Sequence, residues 1–355
     1  MKATASTGPR LWLVLVSAMV LPLIVLLAVL VFAWPAARIA PRDLPLGVVG
    51  AGAVSGTAAL ALEQAEPGAF DLTLYPTDAA ARSAIENREV YGALEPSAGR
   101  LTVLTASAAS PTVAQLIEQV AAVFAEQSAA HGTPLTVTPV DVVPSSPRDP
   151  RGLVISASLL PLTICCVIFA ATIAVLLGVR PAWRQLITLA AVSALGALGA
   201  YLIAQGFLGA LPGLHLETWA SLALMMFALS STVAGFIALF GPRGLAVGSV
   251  LMVFIGNPFS GATSAPELLP KAVGDIGQLL PPGAGASLLR DTAYFDGHGS
   301  GAHLAVLIGW SLFGLLASIV GHHTLIGHAG RQSRAARAAA EETTELDQRI
   351  PSPVR

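Results

Sequence analysis

Six apolar segments without an acidic or basic charge in their cores limit what this chain can fold into. A bilayer core is about 30 Å thick, so a helix needs about 20 residues to cross it. Five segments are long enough, and only residues 244–256 are too short. Because 54% of the residues are hydrophobic and 11% are charged, an ordinary soluble protein is excluded. The sequence therefore predicts a polytopic α-helical membrane protein with six transmembrane helices. The segments are residues 11–33, 153–178, 186–208, 218–240, 244–256 and 303–326.

The first segment, residues 11–33, has two interpretations. Lys2 and Arg10 precede it, as basic residues precede the apolar core of a signal peptide. However, the segment is longer than the roughly 7–15 apolar residues of such a core. Trp12 and Trp34 lie at its two ends, where aromatic residues mark the membrane interfaces. We therefore predict a first transmembrane helix that is retained.

Basic residues in the short loops predict the orientation of the six helices. With six crossings all of these residues fall on one side, whereas the opposite short loop, residues 209–217, has no Lys or Arg. A composition rich in Ala, Gly, Pro and Arg but poor in Lys indicates a bacterial source. We expect a multi-pass protein of the bacterial plasma membrane with both termini cytoplasmic. The basic residues are Lys2, Arg10, Arg180, Arg184, Arg243, Arg331, Arg334 and Arg337.

Residues 35–151, between the first two apolar segments, are long enough for a small domain. Their order of predicted elements, β-α-β-α-β-β-α-β, favours an extracytoplasmic α/β domain between transmembrane helices 1 and 2. Thr77 is expected to cap one helix and Pro111 to open another. The predicted strands cover residues 46–50, 70–75, 89–94, 101–105 and 135–142, and the predicted helices cover residues 54–65, 78–87 and a segment from 111.

Motifs that indicate an enzyme, a cofactor or a nucleic-acid partner are absent from the sequence. It has no Walker A motif, no HExxH motif and no nucleic-acid module, and its net charge is −2. Cys165 and Cys166 lie in an apolar helix, where thiols behave as small hydrophobes. We predict a protein that is not an enzyme, with no catalytic residue, no metal and no cofactor. Since the span cores contain no acid or base, a proton-coupled pump or ion channel is disfavoured.

The stretch after residue 256 is rich in Pro, Gly and Ser and interrupts the short fifth segment. Irregular backbone cannot face lipid, so it must be buried in protein or line a wet cavity. We therefore expect the functional site here, with Glu267 as the one acid of an outer gate. The spacing also predicts that Glu267 completes a capping box that Ser264 begins, a local role that is compatible with a gate. The candidate residues of this stretch are Asn257, Pro258, Ser260, Gly261, Pro266, Glu267 and Pro270.

This layout resembles the ABC-2 type exporter permeases, and phage-infection-protein-like membrane proteins share it. Residues 257–261 and 266–270, continued by 279–283 and 288–290, are similar to the outer re-entrant hairpin of that family. Residues 89–94 resemble a strand of its outside domain. The resemblance extends the candidate gate to Pro281, Pro282, Gly283 and Arg290.

The resemblance also implies a function. It implies a membrane subunit that exports a lipid or another hydrophobic compound, works with a separate ATPase chain and forms a homodimer or heterodimer. Membrane lipid is then a partner, and nucleic acid is not. The apolar segments and the polar tail predict the divisions of the chain: residues 1–34 for the N-terminus and first helix, 35–151 for the α/β domain, 152–326 for five membrane helices, in which the resemblance implies a re-entrant segment at 257–290, and 327–355 for a disordered cytoplasmic tail.

The predicted cytoplasmic loops are short, and this favours a second interpretation. Residues 179–185 and 241–243 form two of these loops, and about ten residues precede the first helix. They offer little surface to an ATPase. The alternative is a non-transporting envelope scaffold or receptor with a relict permease fold, and the sequence leaves both interpretations open.

Overall fold

The computed structural model describes residues 11–50, 56, 59–60, 62–64, 66–130, 132–177, 181–212 and 216–322. The predicted cytoplasmic tail and the first ten residues lie outside this part, and so does much of the predicted helix over 54–65. In chain order the helices are α1 Leu11–Ala36, α2 Asp78–Glu86, α3 Pro111–Ala130, α4 Leu153–Leu177, α5 Ala182–Leu202, α6 Leu216–Phe240, α7 Pro242–Ser249, α8 Lys271–Gln278, α9 Pro281–Tyr294 and α10 Ser300–His322. The strands are β1 Leu44–Val49, β2 Phe70–Tyr75, β3 Gly92–Ser97, β4 Arg100–Thr105 and β5 Thr136–Asp141.

Five of these helices are long and apolar enough to cross a membrane, and the chain is a membrane protein on that basis. They are α1, α4, α5, α6 and α10. A π-helical turn, Ile203–Phe207, extends α5. Helix α6 is the central one, because most of its hydrophobic stretch is buried, whereas the corresponding stretch of α1 contains no buried residue. Only the end of α1 packs on the bundle, where Phe32 contacts Phe254 edge-on at 6.3 Å.

The short fifth segment continues further as a helix than the sequence predicts. Helix α7 runs through a π-helical turn, Val250–Gly256, into one more helical turn, Asn257–Phe259. The prediction that irregular backbone begins at Asn257 is therefore wrong. The chain leaves the helix at Ser260, because Gly261 has φ +68°, a left-handed conformation that glycine adopts without steric cost.

The α/β domain is a five-stranded sheet with strand order β2-β1-β3-β4-β5. All neighbouring strands are parallel except β3 and β4, which form an antiparallel pair. Helices α2 and α3 cover the sheet, and the predicted cap of α2 is confirmed, since Thr77 Oγ1 accepts from the amide of Ala80 at 3.2 Å. The domain returns to the membrane through Asp149, whose carboxylate accepts from the first two amides of α4, Leu153 and Val154, each at 2.9 Å.

Between Phe259 and α10 the chain forms a compact segment, residues 260–294, which we call the hairpin. It contains a short 3-10 turn, Pro266–Leu268, followed by α8 and α9. Helices α8 and α9 have 8 and 14 residues, so each is too short to cross a bilayer. The segment is thus more helical than the sequence predicts. Residues 281–293 of α9 are all buried, so this helix faces protein on every side.

The hairpin completes the hydrophobic core of the α/β domain. Ala265 and Leu268 are buried in one cluster with Leu44, Leu94 and Ile117 of the domain. A continuous core across both units removes apolar surface from water on both sides at once. The hairpin is therefore part of the packing of the domain as well as of the membrane region.

Candidate functional site

A polar cavity of about 360 Å³ lies where the α/β domain, the hairpin and the start of α10 meet. We call it the chamber. Its volume falls in the range of small-molecule sites, roughly 300–1,000 Å³. Eight side chains with formal charges line it, three of them cationic and five anionic. The cationic residues are Arg42, Arg88 and Lys271, and the anionic residues are Asp43, Glu89, Glu267, Asp275 and Asp291.

Asp291 lies at the inner wall of the chamber and joins three parts of the molecule. Its side chain is fully buried, and its two carboxylate oxygens have different partners. Arg88, which follows α2 in the domain, donates to Oδ1, and Nδ1 of His303, in the first turn of α10, lies 2.8 Å from Oδ2. The guanidinium of Arg88 also lies 5.1 Å from the ring centre of Phe295, within the range of a cation–π contact.

Arg88 reaches Asp291 through an unusual backbone conformation. Its φ is +59°, in the left-handed region that non-glycine residues seldom adopt. This turn directs the chain from the end of α2 into β3. Because a buried charge is costly unless it is paired, the ion pair holds Arg88 and Asp291 together across the boundary between the domain and α9.

Glu267 forms a second polar contact across the same boundary. Its Oε2 accepts from the phenol of Tyr91 at 2.8 Å. Burial, and secondarily the negative charge of Glu267, raises the pKa of Tyr91, so the phenol remains a hydrogen-bond donor. The predicted capping box is wrong: the short 3-10 turn starts after Ala265 without a side-chain cap, and Glu267 bonds to the domain instead.

Arg42 and Lys271 connect the hairpin to the start of the α/β domain at the outer edge of the chamber. The amide of Arg42 donates to the carbonyl of Glu267 at 3.1 Å, and its guanidinium donates to the carbonyl of Leu268 at 2.9 Å. Lys271, at the start of α8, forms an exposed ion pair with Asp43 at 2.6 Å. The backbone hydrogen bonds from residues 40 and 42 to residues 267 and 268 thus fix the hairpin to the chain that enters the domain.

Arg290 is buried behind the chamber and holds the turn that begins the hairpin. It donates to the carbonyl of Ala262 at 2.6 Å, while Gln278 donates to the carbonyl of Ser260 at 2.9 Å. Burial first, and then the positive charge of Arg88, lower the pKa of Arg290 to about 10, so it stays charged at neutral pH. In the described part of the chain, no carboxylate forms an ion pair with Arg290.

The other predicted residues shape the hairpin rather than line the chamber. Asn257 and Pro258 belong to the helical turn before it, and Ser260 donates to the carbonyl of Asn257 at 2.7 Å. Pro270 precedes α8 as its N-cap, and Pro266 opens the 3-10 turn. Pro281 and Pro282 occupy the first turn of α9, where a missing amide hydrogen costs nothing. Gly283 packs so tightly on Gly277 that a Cβ there would overlap its carbonyl oxygen.

Sequence reasoning missed most of the chamber. Of the predicted residues only Pro266 and Glu267 line it, whereas Arg88, Asp291 and His303 were not predicted. One sequence signal was present, since Asp291 is an acid next to a base at the end of an otherwise apolar helix. Arg88 and His303 gave no signal, because they lie 203 and 12 residues from Asp291 and meet it only in the folded chain.

Comparison with known proteins identifies no relative. No protein-family model, no curated protein and no solved structure matches the chain. The function must therefore be argued from the chamber, the hairpin and the membrane helices themselves.

Proposed function

We propose that this chain is a permease-like membrane subunit of the ABC-2 type, which exports a lipid or another hydrophobic compound with a separate ATPase chain. The observation that carries the proposal is the position of the hairpin. It consists of helices too short to span a bilayer, is buried on the membrane side through α9, and contacts the α/β domain through Glu267 and Asp291. Such a segment can open or close a path at one face of a membrane.

The proposal includes a sixth crossing by α7 and its continuation to Phe259. Their 18 residues rise about 27 Å as an ideal α-helix, close to the thickness of a bilayer core. Six crossings place the hairpin and the α/β domain on the outer face of a bacterial plasma membrane and both termini in the cytoplasm. In this arrangement the chamber is an outer gate, and the functional unit is a dimer.

A crosslink across the junction tests the gate. Asp43 and Lys271 lie on opposite sides of it and are both exposed, so they can be replaced by cysteines and joined by a short cleavable bis-maleimide. If the gate must open, the crosslink stops export and cleavage restores it. A matched pair within α2, Asp78 and Arg82, is the control, because a crosslink there leaves the junction free. Export that continues unchanged with the junction crosslinked contradicts the gate.

The ATPase is tested by purification from the native membrane. We expect a stoichiometric ATPase whose hydrolysis rate changes when the Asp43–Lys271 junction is crosslinked. A complex that contains envelope proteins and no ATPase contradicts the permease proposal.

A non-transporting envelope scaffold or receptor is the second candidate. The short connections opposite the α/β domain favour it, since a single residue, Gly241, separates α6 from α7. In this alternative the α/β domain binds an envelope partner and the chamber is a rigid joint. The purification separates the two candidates, because only the permease requires an ATPase.

A further inference from the structure

An apolar groove lies next to the chamber, because adjacent residues of the hairpin and of α10 line the two. The groove has a volume of about 370 Å³ and lies between α6, the end of α8 and α10. Gln278 lines the chamber and its neighbour Leu279 lines the groove. On α10 His303 lines the chamber, and Val306, one helical turn further along the same face, lines the groove. The surroundings thus change from charged to apolar within about 5.4 Å, the pitch of one helical turn.

Aromatic side chains fix the shape of the groove. The ring of Phe313 lies 5.4 Å from that of Phe236 and 5.6 Å from that of Trp310. The indole of Trp310 donates to the carbonyl of Leu279 at 2.8 Å, which ties α10 to the end of α8. Leu279 is 63% and Phe313 37% exposed, so the groove is open along a helix that is apolar enough to cross a membrane.

The charges of the chamber favour a cationic group. All three of its cationic side chains are already engaged: Arg42 with backbone carbonyls, Arg88 with Asp291, and Lys271 with Asp43. Two of its acids, Glu89 and Asp275, are exposed and form no ion pair in the described part of the chain. An added anion would meet an excess of carboxylates, whereas an ammonium group would be attracted.

We propose that the chamber and the groove together bind one membrane lipid, with an amine-bearing head group in the chamber and an acyl chain in the groove. The inference rests on the proposed function, because it names the substrate class of the same site. A small water-soluble amine would leave the groove empty, and a hydrocarbon would leave Glu89 and Asp275 without an ion-pair partner among the described residues. A lipid satisfies both parts because its polarity changes over the same short distance.

Quenching of Trp310 by brominated lipids tests this proposal. The full-length protein is reconstituted alone in phosphatidylglycerol vesicles that contain a small fraction of acyl-chain-brominated phosphatidylethanolamine. Brominated phosphatidylglycerol at the same fraction measures ordinary contact with surrounding lipid. A Trp310→Phe variant gives the contribution of the other four tryptophans, since the chain has five. We expect quenching of Trp310 by the brominated phosphatidylethanolamine that exceeds quenching by the brominated phosphatidylglycerol.

Substitutions in the groove and in the chamber test the acyl-chain site and the head-group site separately. Gly309 lines the groove and has open space where a Cβ would lie, so we expect the side chain of Gly309→Leu to occupy the groove. Gly199→Leu, at an open position on α5, is the matched control. Gly309→Leu should abolish the excess quenching and Gly199→Leu should preserve it. The double substitution Glu89→Gln and Asp275→Asn should abolish the preference between the two lipids.

The outcomes distinguish this inference from the proposed function. Equal quenching by both brominated lipids, or excess quenching that persists in Gly309→Leu, overturns the lipid site and leaves export of another compound open. Excess quenching in vesicles that lack an ATPase supports the site whether or not export is later observed. Failure of the crosslinking and ATPase experiments would then remove the export proposal alone.

Discussion

Asp291 shows how much one residue contributes to this molecule. It has no exposed side-chain surface and accepts from Arg88 of the α/β domain and from His303 of α10. Hydrogen bonds to a charged group are stronger than neutral ones, and their loss is costly when the remaining charge stays buried. At this scale the contact between the domain and the membrane helices depends on one carboxylate.

Substitution of Asp291 by Asn is expected to destabilise the protein strongly. The amide keeps the shape of the carboxylate but leaves the guanidinium of Arg88, only 13% exposed, without a counter-charge. We expect a loss of about 3 kcal/mol in the free energy of unfolding. Denaturant unfolding of the purified protein in detergent measures it.

The half-exposed pair of Arg82 and Asp78 in α2 provides the control for Asp291→Asn. Arg82→Ala should cost only about 0.5 kcal/mol, because solvent screens this i, i+4 pair. Equal effects of the two substitutions would contradict a special contribution of the buried pair.

At the scale of elements, the hairpin packs against both the α/β domain and the membrane helices. Its first half contributes Ala265 and Leu268 to the core of the α/β domain, and its second half, α9, packs against α6 and α4 of the membrane region. Close approach of α8 to the helical turn Asn257–Phe259 depends on glycine, because a Cβ at Gly277 would overlap the carbonyl oxygen of Phe259. Because Arg88 of the domain is paired with Asp291 of α9, we expect a movement of the domain to displace α9 as well.

Leu268→Ala tests whether the hairpin completes the domain core. Leu268 is 1% exposed, so the substitution should leave a cavity and cost about 2–5 kcal/mol. The expected result is faster cleavage within the α/β domain, at sites distant from residue 268, during limited proteolysis.

Leu279→Ala, in the same hairpin, is the matched control for this proteolysis experiment. Leu279 is 63% exposed, so its substitution should leave the cleavage rate of the domain unchanged. If Leu268→Ala also leaves that rate unchanged, the domain folds independently of the hairpin.

At the scale of the whole molecule, most charged groups of the described residues lie at one end of the helix bundle. This end contains the α/β domain, the hairpin, the chamber and the connection from α5 to α6. Ser146, in the segment that leads from β5 to α4, donates to the carbonyl of Gly209 in that connection at 2.6 Å. At the opposite end, the described chain contains the one-residue connection at Gly241. Such asymmetry is expected if the two ends face different compartments.

Labelling of single cysteines tests the orientation of the whole molecule. With Cys165 and Cys166 replaced by Ala, Ser97→Cys at the exposed end of β3 should react with a membrane-impermeant maleimide in intact cells. Arg243→Cys, exposed at the start of α7, should react only after the membrane is permeabilised. The reverse pattern would contradict the proposed orientation with both termini cytoplasmic.

The sequence alone determined the elements of this protein, because hydrophobic periodicity and caps are local properties. The five long apolar helices and the five strands lie close to their predicted positions, and Thr77 caps α2 as predicted. Local signals also located the hairpin, since Pro and Gly restrict or permit backbone conformations wherever they occur. The six crossings, the orientation and the export function stay predictions.

Only the tertiary structure decided which side chains form the chamber. Tyr91 and Glu267 are 176 residues apart and Arg88 and Asp291 are 203 residues apart, so no local pattern relates them. Their contacts arise because the core of the α/β domain extends over Leu268 and places the end of α2 against α9. Burial then makes each charge dependent on its partner, a property of the packed interface that sequence spacing does not contain.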